Sequence, residues 1–358
     1  MSKKRILLIA LTILSILSII FVYNDYFLYK NTILKVTDVK NDYKENNEYY
    51  TQHITGVIKN GEYKGKTFKV NNTAAKSKVY DDTIYKNNDI FVELSKDGKK
   101  IIAINDIKRD KYIVILLVLF IDLIFFITGK RGLKTLISLL VNIIISTISI
   151  FVVSKFQNFN ILVLYILVSI LFISLSLFIT NGKSRKTLAA IISSIVSLFT
   201  SFSLVFILIK FFGDHLSIWT MEYIEIIYDY QNYFYVSILL CGLGAIMDIS
   251  ITITSALSEL IEKNPKIKTK DLKKSGREIS KDIIGTMTNV MLFTCFSSVI
   301  PMMLLALKNN VLLSDAISLY GELELVIVLS SCISIVLAIP ISLYISLLIL
   351  HRNKRKVK

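Results

Sequence analysis

Residues 161–180 read ILVLYILVSILFISLSLFIT. No charged side chain interrupts this run, and a helix of about 20 apolar residues is what the hydrocarbon core of a bilayer requires. Seven further segments share the character: 6–23, 112–128, 133–154, 187–212, 234–257, 283–307 and 325–350. Of the 358 residues, 53% are hydrophobic and only 19% charged, and the mean hydropathy is +0.59. A soluble domain of this size would carry more charge. The sequence therefore predicts a membrane all-α helical bundle of about eight transmembrane helices.

One region breaks the pattern. Residues 24–111 are polar, rich in Lys, Asn, Asp and Tyr, with stretches of β character at Thr32–Lys40, Tyr49–Lys59, Tyr63–Val70, Asp89–Leu94 and Lys100–Ile104. Asn60-Gly61 and Asp97-Gly98 are turn signals between them. Five short strands predict a small all-β extracytoplasmic domain inserted after the first helix, with an OB-like barrel as one topology. The first helix, 1–23, reads as an uncleaved anchor. Its basic start (Lys3, Lys4, Arg5) suits a signal peptide, but its end is Phe21, Val22 and Tyr23, where a signal peptidase needs small residues. The seven-helix remainder runs over 112–350, with a basic tail at 351–358.

Lysine and arginine set the orientation. With the N-terminus inside, 22 of the 42 basic residues fall on cytoplasmic ends and loops and 3 on short outside loops, and the remaining 17 lie in the 24–111 domain. That bias predicts both termini in the cytoplasm and a plasma-membrane location. It also accounts for the net charge of +15 without a nucleic-acid partner. The partners predicted are the bilayer itself, anionic lipids at the basic 263–281 loop, and a second membrane subunit or a second copy of the chain. The outside loop 213–232, acidic and aromatic around Asp214, Trp219, Glu222, Glu225 and Asp229, reads as an interfacial segment.

The chemistry concentrates in the sixth and seventh spans. Asp248, Thr252, Ser255 and Glu259 recur at helical spacing on one face of the sixth, as do Asp282, Thr286 and Asn289 on the seventh. In an antiparallel pair, Glu259 matches Asp282 in depth, Ser255 matches Thr286, and Thr252 matches Asn289. Asp248 lies deepest, about 16 Å from Glu259 at 1.5 Å per residue. A carboxylate at a helix centre costs about 2.5–3.5 kcal/mol on insertion scales, so Asp248 should face the bundle interior or water rather than lipid. The functional reading is a substrate or ion pathway, and the structural one an interhelical hydrogen bond. Asp122, in the second span, is a further intramembrane carboxylate with the same two readings. Gly242, Gly244, Ala245 and Gly285 are small enough for close helix approach.

Other chemistries find little support. Cys241, Cys295 and Cys332 are odd in number and far apart, and they read as small buried apolar residues rather than a disulfide or metal site. His53, His215 and His351 show no ligand spacing. Gly61–Thr67 is one residue short of a P-loop. No metalloprotease helix or hydrolase elbow is present. The expectation is no cofactor, no metal and no enzymatic activity.

Residues 244–259, GAIMDISITITSALSE, and 276–293, GREISKDIIGTMTNVMLF, resemble the YibE/F-like family of bacterial multi-pass membrane proteins. The order of parts agrees: anchor helix, small β-rich outside domain, then a bundle whose third helix starts Gly132-Leu133-Lys134. The family pattern favours Gly and Arg where this chain has Ser280 and Lys281. The resemblance implies a permease without naming a substrate. Together with the polar seam it predicts a secondary transporter. The alternative is an assembly or sensor protein whose outside domain binds a partner.

Overall fold

The computed structural model describes residues 3–43, 48–76, 82–95, 97–156, 160–212 and 230–351. The acidic loop Asp214–Asp229 and the tail 352–358 lie outside these. In chain order the elements are α1 (Lys3–Asn24), a 3₁₀ turn (Asp25–Leu28), β1 (Thr32–Tyr43), β2 (Tyr49–Ile58), β3 (Thr67–Ala75), β4 (Asp89–Leu94), β5 (Ile101–Ile107), α2 (Asp110–Thr128), α3 (Lys130–Lys155), α4 (Ile161–Asn181), α5 (Arg185–Phe212), α6 (Tyr230–Cys241), α7 (Leu243–Lys263), α8 (Thr269–Lys308), α9 (Leu313–Ala316), a π-turn (Ile317–Gly321) and α10 (Glu322–His351). Eight helical segments are long and apolar enough to cross a membrane. The chain divides into two compact units, Met1–Leu133 and Lys134–Lys358.

In the first unit α1 packs against α2, and the five strands form one antiparallel sheet in the order β3-β2-β1-β4-β5. The two edge strands, β3 and β5, approach each other, so the sheet curls into a near-barrel. Alternation along β2 buries Tyr50, Ile54 and Ile58, and the two isoleucines pack with Leu34, Val36, Ile90 and Val92. Gln52 shares that inward face and is buried, yet its amide is saturated. Its Oε1 accepts from Ile84 N (2.9 Å) and Asn72 Nδ2 (3.1 Å), and its Nε2 donates to Ile84 O (3.1 Å) and Asn41 Oδ1 (3.0 Å). The third strand begins four residues later than its sequence pattern predicts. Gly61 and Gly65 adopt positive φ (72° and 87°), and Lys66 N donates to Tyr63 O, so Gly61–Lys66 is a turn rather than strand.

In the second unit α7 is central, packed on α5 and α10. Leu239, Ile246, Ile249, Ile253, Leu257, Leu198, Ile335, Ala338 and Leu343 form its apolar core. Much of the remaining contact is serine against serine. Ser250 Oγ lies 2.9 Å from Ser342 Oγ, and Thr254 Oγ1 lies 2.7 Å from Ser346 Oγ, all four fully buried. Without a hydrophobic force between spans in lipid, small side chains that let helices approach, with hydroxyls bonded across, do the joining. Gly276 in α8 serves the same end: a Cβ there would overlap Leu343 of α10. The sixth span is not one helix. It is interrupted at Gly242, where a Cβ would come within 3.3 Å of Ser334 Cβ. At 40 residues α8 is about 60 Å long, roughly twice the thickness of a bilayer's hydrocarbon core.

Candidate functional site

α7 has two unlike faces. Ile246, Ile249, Ser250, Ile253, Thr254 and Leu257 are buried in the unit, whereas Gly244, Asp248, Thr252 and Glu259 are exposed and Ser255 is half-buried. α8 divides the same way. Ile283, Ile284, Met287 and Met291 pack on the core, whereas Asp282, Gly285, Thr286 and Asn289 are exposed. The period of 3.6 explains both: every residue of the polar sets sits opposite the apolar stripe. The two helices therefore meet through their aliphatic sides, and the polar sets line the outward surface of the pair. Added Cβ atoms at Gly244 and Gly285 would touch nothing, so the surface beside Asp248 and Thr286 is open.

Within that surface the polar groups differ in how they are satisfied. Thr286 Oγ1 donates to Ile283 O (3.0 Å), a bond within its own helix. Glu259 pairs with Lys263 at 2.6 Å, both side chains well exposed. Asp248 has no hydrogen-bond or ion-pair partner among the described residues. At the far end of the face, toward the α7–α8 loop, a pocket of about 680 Å³ opens, lined by Ala256, Glu259 and Lys263 from α7 and Lys274, Ser275 and Glu278 from α8. Of the eight residues singled out by sequence, Glu259 alone lines it. Among the described residues no cluster of His, Cys, Asp and Glu is arranged to hold a metal ion.

Asp122 belongs to the first unit, where Ser15 Oγ of α1 donates to its Oδ1 at 2.8 Å. The same unit holds a denser set of charges at the root of the β domain. Lys108 Nζ lies 2.6 Å from both Asp25 Oδ1 and Asp110 Oδ2. Tyr29 Oη donates to Asp110 Oδ2 (2.6 Å), Tyr26 Oη donates to Asp89 Oδ1 (3.2 Å), and Lys111 Nζ reaches Asp89 Oδ2 (3.4 Å). Asp25, Asp89, Lys108 and Lys111 are all buried. Burial works against the Lys108 charge, but the bonds to Asp110 and Asp25 outweigh it and hold the ammonium above the ordinary lysine range. Burial, then the bond to Asp110, pushes the Tyr29 phenol up, so it stays a donor. The cluster fastens the strands to α1 and α2: Asp25 follows α1, Asp89 opens β4, and Lys108 and Asp110 join β5 to α2.

Two family models match the chain, and their boundary falls at the start of α2 rather than after it. The YibE/F-like protein family matches residues 116–352, and the YibE/F family N-terminal domain matches residues 27–108. The chain belongs to the YibE/F-like family. No curated protein and no solved structure matches it. The YibE/F-like match takes in the entire polar face of α7 and α8, and the N-terminal match covers the near-barrel. Ser280, where the family pattern favours Gly, is buried, and its Oγ donates to Gly276 O of its own helix at 2.6 Å, so the hydroxyl is accommodated without a partner helix.

Sequence reasoning missed three residues in the second unit. Cys241 and Cys295, 54 positions apart, bring their Sγ atoms to 3.4 Å. The Glu324 carboxyl at the start of α10 lies close enough to Cys295 for the two to influence each other electrostatically. No spacing pattern joins cysteines on different spans, so only packing could find the pair. Glu324 carried a signal, an acid beside the last apolar run, but lay one residue outside the segment taken as the span.

Proposed function

We propose that this chain is a secondary transporter or permease of the bacterial plasma membrane, with no enzymatic activity and no resident cofactor. The observation that carries the reading is Asp248, exposed on a long apolar helix and without a partner among the described residues. Against lipid this carboxylate would cost about 2.5–3.5 kcal/mol with nothing in return. Against water or a passing solute it costs little and offers a charge. Thr252, Ser255, Thr286 and Asn289 extend the same polar surface toward the pocket at Glu259, and Asp282 lies on the α8 side. The termini and the α7–α8 loop are read as cytoplasmic, where the loop's basic residues meet anionic lipid. The near-barrel, read as OB-like, then lies outside. The test is flux in cells carrying the chain, screened over ions and small solutes. The account predicts a flux that Asp248→Asn abolishes while the protein still accumulates in the membrane. Flux unchanged in Asp248→Asn would overturn it.

A second reading, an assembly or sensor protein, draws on the ion cluster at Lys108, which makes the β domain a rigid extension of α1 and α2. It predicts that deleting residues 24–111 abolishes function while Asp248→Asn changes only stability.

A further inference from the structure

Cys241 is the last residue of α6, and the chain breaks at Gly242 before α7 begins. Cys295 lies in α8, buried, with its Sγ 3.4 Å from that of Cys241. Glu324 of α10 lies near Cys295, and Ser334 of α10 packs against Gly242. Three spans therefore converge on one dithiol. A disulfide bond is about 2.05 Å long, so the sulfurs need to close by a little over 1 Å, a movement on the scale of side-chain rotation. The position beside a helix break leaves α6 freer to supply it than an unbroken helix would be.

We propose that Cys241 and Cys295 are a redox modification site that forms a reversible disulfide between the sixth span and α8. The oxidant is a bilayer-soluble organic disulfide, R–S–S–R. Exchange proceeds through a thiolate. Cys295 loses its proton, and its sulfur attacks R–S–S–R, forms a mixed disulfide and expels one RS⁻. Cys241 loses its proton as its sulfur attacks Cys295 Sγ, forming the internal bond and expelling the second RS⁻. The two released protons and two RS⁻ leave as two RSH, so the chain loses two electrons and two protons and the oxidant gains them. The bond would tie α6, the helix that leads into the polar α7, to α8, the other helix of the polar face. That consequence rests on the transporter reading, but formation of the bond does not.

The test uses the full chain in native membranes and the lipophilic probe dithiodipyridine. The expected result is release of two thiopyridone molecules for the pair, no retained pyridyl adduct on either sulfur, and a linked peptide joining Cys241 to Cys295 that dithiothreitol separates. Cys241→Ser and Cys295→Ser should each leave a stable pyridyl adduct on the remaining sulfur. Stable adducts on both cysteines of the unaltered chain, a Cys241–Cys332 link instead, or no reaction at a probe concentration that modifies the unfolded chain fully would each overturn the proposal. Loss of flux without the link, or the link without loss of flux, separates this inference from the transporter reading.

Discussion

The root of the β domain and the outward face of α7 both place carboxylates in or beside apolar spans, and they treat them oppositely. Asp25, Asp89 and Asp110 are matched by two lysines and two tyrosine hydroxyls at 2.6–3.4 Å. Asp248 has no partner among the described residues and is exposed. Removing one partner from a buried charge set strands the others, whereas removing an unpaired carboxylate strands nothing. The first set is therefore priced into the fold, and the second residue is free to act on something that arrives.

The comparison breaks most readily at Lys108. Lys108→Met leaves Asp25 and Asp110 without their common cation and should destabilise the first unit by about 3–5 kcal/mol, read by thermal or denaturant unfolding. A loss under about 1 kcal/mol, the level of an exposed pair, would mean the cluster is hydrated. Acidity sharpens the same point. Because the Lys108 ammonium is held above the ordinary lysine range, its contribution is complete below the unfolded-lysine pKa and disappears as pH rises through the raised one. Unfolding temperature of the first unit should owe Lys108 no change around neutrality and should fall only in strong alkali. A Lys108-dependent fall beginning near neutral pH would contradict the assignment.

Smaller effects are expected in the second unit. Ser342→Ala removes the partner of Ser250 and should cost about 0.6 kcal/mol, the average for hydrogen bonds between spans, measured by unfolding in mixed micelles. Asp248→Asn should cost least, under about 0.5 kcal/mol, while abolishing flux. A stability loss as large as that of Lys108→Met would show that Asp248 has a structural partner and would remove the contrast.

The bundle was legible because lipid permits only long apolar helices, and each of the eight predicted segments overlaps one long apolar span, the sixth interrupted at Gly242. The five strands were legible from alternation and turn residues, apart from the start of β3, where the glycine turn extends to Lys66, and the ends of β1, β3 and β5, which run on to Tyr43, Ala75 and Ile107. The polar sets on α7 and α8 were legible as faces, since period alone fixes them. Their direction was not. Sequence placed Asp248 toward the bundle interior or water and matched the two sets in depth, and the structure leaves both sets on the exposed side, with Ile283, Ile284 and Met287 of α8 packed on the apolar core. The serine joints were hidden among residues that read as bland, although Ser250 and Thr254, and likewise Ser342 and Ser346, repeat at i, i+4. The ion cluster was hidden because its members come from three distant stretches, joined only once the sheet forms.

The most direct test is accessibility along the polar face. In a chain lacking Cys241, Cys295 and Cys332, single cysteines at 248, 252, 255, 286 and 289 would meet a membrane-impermeant thiol reagent from each side. The account predicts labelling that reaches position 248 and is blocked from neither Thr252 nor Asn289, as a hydrated path requires. Labelling that stops near Ser255 and Thr286, or fails throughout, would mean the face is covered by lipid or by another helix, and the pathway reading would fail.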